Sequence, residues 1–412
     1  MFKRIPGTKD ILPEEISSWQ TVEATARRIF SLYNYREIRT PLIEEAALFN
    51  RTLGATTEIV QKQMFLIHNQ EDTYVLRPEA TASVVRSYLE NNLEKTSGFT
   101  KLYYIGPMFR LERPQKGRLR QFHHIGAEAI GSGLASLDIE VISLSQQLLK
   151  SFGITDYKIK LNSLGCPKDK LALGISLKKS LAAKLPRLCT NCQNRAKNNV
   201  LRVLDCKNED CQKIVKTLGL QPTHLCPDCL EHFEQVKCGL NNLGVLFQVD
   251  PQLVRGLDYY NRTVFEITHS NLGSQDALGA GGRYNNLVAE LGGPDLGAMG
   301  FAFGVERLLL VPNTLNQNSV KKLVYLITLG DAAKSSGIKI LNQLRNAGIP
   351  ADMDYLNKSL KGAMRAANDV GAAFVLILGD DELKKNIISV KDMAKSIQKE
   401  LTIQDLIEEL KC

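Results

Sequence analysis

Two strand-like runs, Leu102–Phe109 (LYYIGPMF) and Gln121–Ile130 (QFHHIGAEAI), flank one polar, basic loop, ERPQKGRLR. The arrangement predicts an antiparallel pair of strands with a long connection. Side chains alternate across a strand, so Phe122, His124, Gly126, Glu128 and Ile130 share one face of the second run. In the first run Met108 and Arg110 fall together, and Glu112 continues that face if the strand extends so far. A histidine and an acid on one sheet face, next to an arginine, are poor core material. A basic loop alone reads as a solvated hairpin tip, but Arg110, His124 and Glu128 on the strand faces beside it favour a functional reading.

The remaining sequence sets the frame around this sheet. The 412 residues suggest two to three domains, and 44% hydrophobic and 23% charged residues are those of an ordinary globular protein. No apolar run reaches the roughly 18 residues of a membrane-spanning helix. The N-terminal MFKRIPGTKDILPEE lacks the apolar stretch of a secretory signal, so a cytoplasmic chain is expected. The net charge of +8 favours polyanionic partners such as nucleic acid, although a mildly basic solvated surface explains it equally well.

Trp19, Val22, Ala26, Ile29 and Phe30 have helical spacing and predict a helix ending near Asn34. Thr40-Pro41-Leu42 is expected to be extended. Near residue 160 the character changes. Residues 166–240, rich in Cys, Lys and Asn, read as a small domain inserted between two parts of a core, 1–165 and 241–312. A polar linker is expected over 313–322. Over 323–412 short apolar strands (323–329, 373–378, 386–390) alternate with helical spacings (Ile338, Leu341, Leu344; Leu360, Met364, Ala367), which predicts a compact α/β domain.

Four further segments carry chemistry. The stretch RGLDYYNRTVFE (Arg255–Glu266) concentrates a cation, an acid and two adjacent tyrosines, a composition suited to a pocket for a planar polar ligand beside an anion. GFAFGVER (Gly300–Arg307) runs from an apolar strand into a helix start, where backbone amides and the helix dipole favour anions near Arg307. In LRPEAT (Leu76–Thr81), Pro78 fixes a backbone angle beside Glu79, and the plain reading is the first turn of a helix. LGAGGRYNNL (Leu278–Leu287) has glycines that permit close backbone approach or simply a tight turn.

In combination these segments resemble the histidyl-tRNA synthetases of bacterial type, a family of class II aminoacyl-tRNA synthetases. FRLERPQKGRLRQFHHIGAE (Phe109–Glu128) looks like motif 2 of that class, GFAFGVER like motif 3, and RGLDYY like the histidine-specific motif. IPGTKDILPEE near the start and LRVLDCKN in the insertion extend the resemblance over most of the chain, in family order. The resemblance implies an α+β fold: an antiparallel-sheet catalytic domain with a small inserted domain, followed by a C-terminal α/β anticodon-binding domain. It implies an ATP-dependent histidine–tRNA ligase, with L-histidine, ATP and tRNA(His) as partners, magnesium accompanying ATP, and a homodimer formed around Thr40-Pro41.

By the same resemblance Arg110, Arg255 and Arg307 are the catalytic cations. Histidine is expected to meet Glu79, Thr81, Arg110, His124, Glu128, Arg255, Tyr259, Tyr260 and Tyr284. ATP is expected to meet Arg110, Glu112, Arg118, Arg120, Phe122 and Arg307. His124 departs from the glutamine that close relatives often carry there. A related non-ligating subunit that regulates ATP phosphoribosyltransferase shares the catalytic fold, but it usually lacks the C-terminal domain and much of RGLDYY. A pure RNA-binding module is a further alternative, against which the intact arginines argue.

Eight of the nine cysteines lie from Cys166 to Cys238. Cys189-x2-Cys192 and Cys226-x2-Cys229 have zinc-knuckle spacing, so these four are one candidate structural zinc site; simple reduced thiols are the other reading.

Overall fold

A computed structural model describes residues 2–54, 57–69, 71–219, 224–273, 276–312 and 322–411. Most of the linker expected over 313–322 lies outside the described residues. The chain divides after residue 316 into two compact units.

The first unit is built on an eight-stranded sheet. Its spatial order is Arg36–Glu37, Thr100–Phe109, Gln121–Ile130, Ala298–Gly304, Ala277–Arg283, Asn261–His269, Tyr157–Ser163 and Gln248–Val249. Every pairing is antiparallel except the two at the edges, Arg36 with Leu102 and Lys160 with Gln248, which are parallel. The hairpin expected from sequence is present, and its strands pair from Thr100–Ile130 to Phe109–Gln121.

Alternation divides the sheet into two faces. Ile125, Ala127 and Ala129 turn into a core shared with the helices Pro13–Leu32, Ala135–Ser151 and Pro227–Asn242. Trp19, Val22, Ala26, Ile29 and Phe30 are the buried stripe of the first of these helices. Phe122, His124 and Glu128 point the other way. The centre of the sheet is thinned by glycine: a Cβ on Gly281 would stand 2.3 Å from the Gly300 carbonyl of the neighbouring strand, and side chains are excluded from this approach.

The described residues from 166 to 240 form the helices Pro167–Leu181, Thr190–Asn198, Glu209–Lys216 and Pro227–Asn242, with 3-10 turns at Ala182–Arg187 and Val200–Val203. Pro167 and Pro227 each begin a helix, where a missing N–H costs nothing. The last of these helices also serves the main core through Phe233, Val236 and Leu240. His232 on the same helix reaches Asp138, which is fully buried. Asp138 pairs with the equally buried Arg283 at 2.7 Å and accepts from Thr263 Oγ1 at 3.0 Å. Arg262 stands 3.1 Å from the other ring nitrogen of His232. A buried charge survives only when paired and hydrogen-bonded in this way.

The second unit has a five-stranded sheet ordered Ala351–Met353, Val324–Thr328, Phe374–Leu378, Ile388–Asp392 and Ile397–Leu401. The first three strands are parallel and the last two antiparallel. Val324 and Leu326 pack with Leu341 and Leu344 of helix Asp331–Asn346, while Tyr325 and Ile327 pack with Ala363 and Ala367 of helix Leu360–Asp369. Helices therefore cover both faces. Among the described residues, no helix is long and apolar enough to cross a membrane.

Candidate active site

The polar face of the large sheet forms the floor of a cleft. Tyr104, Phe122 and His124 belong to the hairpin; Arg255, Leu257, Tyr259 and Tyr260 form one wall, and Gly304, Glu306 and Arg307 close another side. The cleft holds about 1000 Å³ of empty space, its open mouth included, which is room for a nucleotide and an amino acid together.

Its deep end is built on one carboxylate. Glu128 accepts from Thr81 Oγ1 at 2.7 Å, Tyr284 at 2.6 Å and Tyr104 at 3.3 Å. Burial pushes its pKa up to about 8, with the three hydroxyls opposing the rise and Glu79 adding to it. A Cβ on Gly300 would stand 1.7 Å from Glu128 Oε2, so only glycine leaves space for this carboxylate. Glu79 is also buried, which raises its pKa, yet it accepts from the backbone amides of Thr81 at 2.6 Å and Ala82 at 2.9 Å. It thus caps the helix Thr81–Glu90 and lines the cleft at the same time.

Three aromatic rings stand beside these acids. Tyr259 lies 4.6 Å from Tyr260 and 5.7 Å, edge-on, from Tyr284. Burial raises all three phenol pKa values, so the rings present neutral hydroxyls. His124 is neutral as well. Burial, then the neighbouring Arg110 and Arg307, lower its pKa to about 3, and its Nδ1 is buried without a hydrogen-bond partner.

The arginines line the more open part. Arg255 donates from Nη1 to Glu266 at 2.8 Å, while its buried Nε has no hydrogen-bond partner. Burial, the largest single influence, works against its charge, but Glu266, Tyr260 and Asp205 together offset it and raise its pKa. Arg110 donates from Nε to the Pro78 carbonyl at 2.9 Å and lies 5.4 Å over the Phe122 ring. Arg307 donates to the Gly117 carbonyl at 2.9 Å and the Ala277 carbonyl at 2.7 Å, tying the helix start to the hairpin tip. Burial lowers the pKa of Arg110 and Arg307, but a guanidinium keeps its proton. Glu112 stands 3.2 Å from Arg118. Arg110, Arg118, Arg255 and Arg307 line the cleft together with Glu79, Glu112 and Glu306, and guanidinium groups gathered in this way suit a polyphosphate.

The profile of the histidyl-tRNA synthetase family matches residues 7–308, and that of the anticodon binding domain matches residues 323–412. The histidine–tRNA ligase of Halothermothrix orenii is 46% identical over 411 residues, covering 98% of this chain and 97% of that protein. The histidine–tRNA ligase of Moorella thermoacetica is 44% identical over 412 residues, covering 99% and 97%. The chain belongs to the histidyl-tRNA synthetase family. Among solved structures, apo histidyl-tRNA synthetase from S. aureus superposes with a TM-score of 0.81 at 35% identity, over the whole of both chains. An ATP phosphoribosyltransferase regulatory subunit/histidyl-tRNA synthetase from Bacillus halodurans shares the fold, with a TM-score of 0.67 at 23% identity.

The synthetase cleft brings together most of the residues expected from sequence, with several differences. Glu128 and Tyr284 stand behind the lining residues, each 1% exposed: Glu128 meets them through the hydroxyls of Thr81 and Tyr104, and Tyr284 packs against the Tyr259 ring. Arg120 is not among the lining residues: it donates to the Pro6 carbonyl at 3.2 Å and holds the N-terminal segment instead. The hairpin strand ends at Phe109, so Glu112 reaches the cleft from a turn closed by its amide on the Arg110 carbonyl at 2.8 Å. The four cysteines expected to share one ion are separated: Cys189 and Cys192 cluster with Cys206 and Cys211, whereas Cys226 and Cys229 cluster with Cys166 and Asp169.

Other contacts of this synthetase site escaped the sequence reading. Tyr104 joins Glu128 across the hairpin. Glu306 accepts from the His123 amide and ring, both at 3.0 Å, locking the motif 3 helix to the motif 2 strand. The RGLDYY loop is braced by the insertion. Lys170 donates to the carbonyls of Asp258 and Tyr260, each at 2.9 Å; Asn199 donates to Asp258 Oδ1 at 3.0 Å; Arg202 donates to the Gly256 carbonyl. Arg202 lies in LRVLDCKN, and this was the available signal.

Proposed function

We infer that this chain is an ATP-dependent histidine–tRNA ligase. It forms histidyl-adenylate and pyrophosphate, then transfers histidine to the 3′ end of tRNA(His) with release of AMP. The observation that carries the reading is the convergence of Arg110, Arg255 and Arg307 on a cleft whose deep end joins Glu79, Thr81 and Glu128 to Tyr259 and Tyr260. Glu79 and Thr81 suit the α-amino group of histidine. The tyrosine rings suit its imidazole, with Glu128 fixing the hydroxyls around it. A neutral His124 adds no positive charge to repel an imidazolium.

The histidine carboxylate attacks the α-phosphorus of ATP, and charge grows on the phosphate oxygens as the bond to pyrophosphate breaks. Arg110 and Arg255 are assigned to the α-phosphate, and Arg307 to the departing pyrophosphate. The unpartnered Nε of Arg255 supports its part. Such a step needs positioning and charge stabilisation more than a base. Glu112, Arg118 and Phe122 are assigned to the nucleotide. Magnesium brought with ATP would neutralise its phosphates; Glu112, which stands 3.2 Å from Arg118, is assigned to the adenine end of the nucleotide.

The C-terminal unit is assigned to the tRNA anticodon, in a cytoplasmic enzyme. A homodimer is supported by exposed Leu42, Ile43, Leu66 and Ile67 around Thr40-Pro41 and the small sheet Ile43–Glu45, Asp72–Leu76 and Phe65–Asn69.

Histidine-dependent exchange of pyrophosphate into ATP tests the ligase, and its absence from fresh protein would overturn the assignment. Arg255→Ala should lower exchange by at least about 100-fold while leaving ATP and tRNA binding largely intact. Near-normal adenylation in that variant would show Arg255 to be misassigned.

A further inference from the structure

The corrected grouping of cysteines creates a site outside the cleft. Cys189 precedes helix Thr190–Asn198, and Cys192 lies in its first turn; Cys206 follows the turn Val200–Val203, and Cys211 lies in helix Glu209–Lys216. Their four sulfurs lie within 4.8 Å of one another, and Cys192, Cys206 and Cys211 are buried. The Cys189 and Cys206 sulfurs are 3.8 Å apart. A disulfide needs about 2.05 Å. A tetrahedral ion with Zn–S bonds of about 2.3 Å sets its sulfurs about 3.8 Å apart.

Backbone amides already point at the sulfurs: Cys189 N at Cys211 Sγ, 3.2 Å, and Asn208 N at Cys206 Sγ, 3.4 Å. Such donors favour thiolates and fix ligands in place. Holding four thiolates together, three of them buried, without a cation would be prohibitive, whereas a bound dication offsets the charge. The neighbouring group, Cys166, Asp169, Cys226 and Cys229, has a sufficient explanation without metal. Asp169 accepts from the amides of Cys166 and Cys226, each at 3.1 Å, and so caps two helix starts.

The segment closed by these four cysteines is also the brace of the histidine loop. Between Cys192 and Cys206 lie Arg195, paired with Glu58, and Asn199 and Arg202, which hold Asp258 and Gly256. We propose that Cys189, Cys192, Cys206 and Cys211 bind one structural zinc ion, and that this ion holds the insertion in the conformation that braces RGLDYY. The second half deepens the ligase reading and rests on it; the first half does not.

The test uses the full chain, purified from zinc-containing medium without chelators. Elemental analysis should find zinc, with one equivalent fewer in Cys206→Ser and the wild-type amount in Cys238→Ser, whose cysteine is exposed and outside the cluster. Where Cys206→Ser does not fold, titration of the native wild type with a mercurial should release that equivalent as four thiols are consumed. Cobalt substitution should give the thiolate charge-transfer band of a tetrahedral site. Zinc-free wild type, full zinc content in Cys206→Ser, or these cysteines recovered as disulfides by alkylation and mass spectrometry would overturn the site. In pyrophosphate exchange, Cys206→Ser should raise the KM for histidine about 10-fold with a smaller effect on the KM for ATP. An unchanged KM for histidine would overturn the brace. Zinc bound stoichiometrically by a protein without exchange activity would refute the ligase reading and leave the site standing.

Discussion

Glu128→Gln tests the claim that burial of the Glu128 carboxylate at the deep end of the cleft costs stability. The amide has nearly the same shape. Its oxygen can accept from Thr81 and Tyr104, and its nitrogen can donate to Tyr284, which turns its hydroxyl to accept. What the substitution removes is the buried charge. The folded pKa of about 8 lies above the ordinary value of 4.5, so the folded protein keeps this proton across a window in which the unfolded chain has lost it. Stability therefore falls as pH rises through that window and levels off above about 8. The shift corresponds to a cost on the order of 5 kcal/mol. Ligand-free Glu128→Gln should then melt above the wild type at pH 9 and equal to it near pH 4.5. At roughly 2 °C per kcal/mol for a large unit, the difference at pH 9 should be about 5–10 °C. Pyrophosphate exchange should move the other way, with the KM for histidine up about 10- to 100-fold, the value of a hydrogen bond to a charged group. Calorimetry between pH 4.5 and 9 reads the first effect. A variant destabilised equally at every pH would refute the reasoning, because Glu128 would then act only through its shape.

The remaining expectations concern its neighbours. Gly300→Ala places a methyl against the Glu128 carboxylate, so the KM for histidine should rise at least 10-fold while ATP binding, measured by fluorescent analogue displacement, changes little; an unaltered KM would mean that the carboxylate position does not matter. His124→Gln should retain activity within about 5-fold and leave the pH profile between pH 5 and 9 unmoved, since the pKa of His124 is held down near 3 and its charge does not change there. An acid limb lost with that substitution would show that His124 titrates in the working range.

The legibility of the chain followed the kind of constraint acting on each segment. Gln121–Ile130 was readable to the residue because alternation runs through it without a break. The strand Phe65–Asn69 has three of its five residues apolar but four exposed, so no buried face marked it. Two helices of the insertion, Thr190–Asn198 and Glu209–Lys216, are short and polar, and the stripes of the longer two were hidden among lysines and cysteines; their role as a brace depends on contacts spanning 54 to 90 residues, which local patterns do not carry. Cys226-x2-Cys229 was paired with Cys189-x2-Cys192 because like spacing was matched with like. The equal spacing of Cys166-x2-Asp169 was present in the sequence, but its acid hid the match. Arg120 shared the charge of Arg118 two residues away, and charge alone did not show that Arg120 turns toward Pro6.

The buried network around Asp138 ties the history of the insertion to that of the sheet. Its members come from a core helix, from two strands and from the insertion's last helix, and each satisfies a group on another. Loss of the insertion would leave Asp138 and Arg262 short of His232 and would expose the apolar face that Phe233, Val236 and Leu240 cover. A variant that lacks this segment must therefore replace His232 and these three apolar side chains to keep the network satisfied and the core covered.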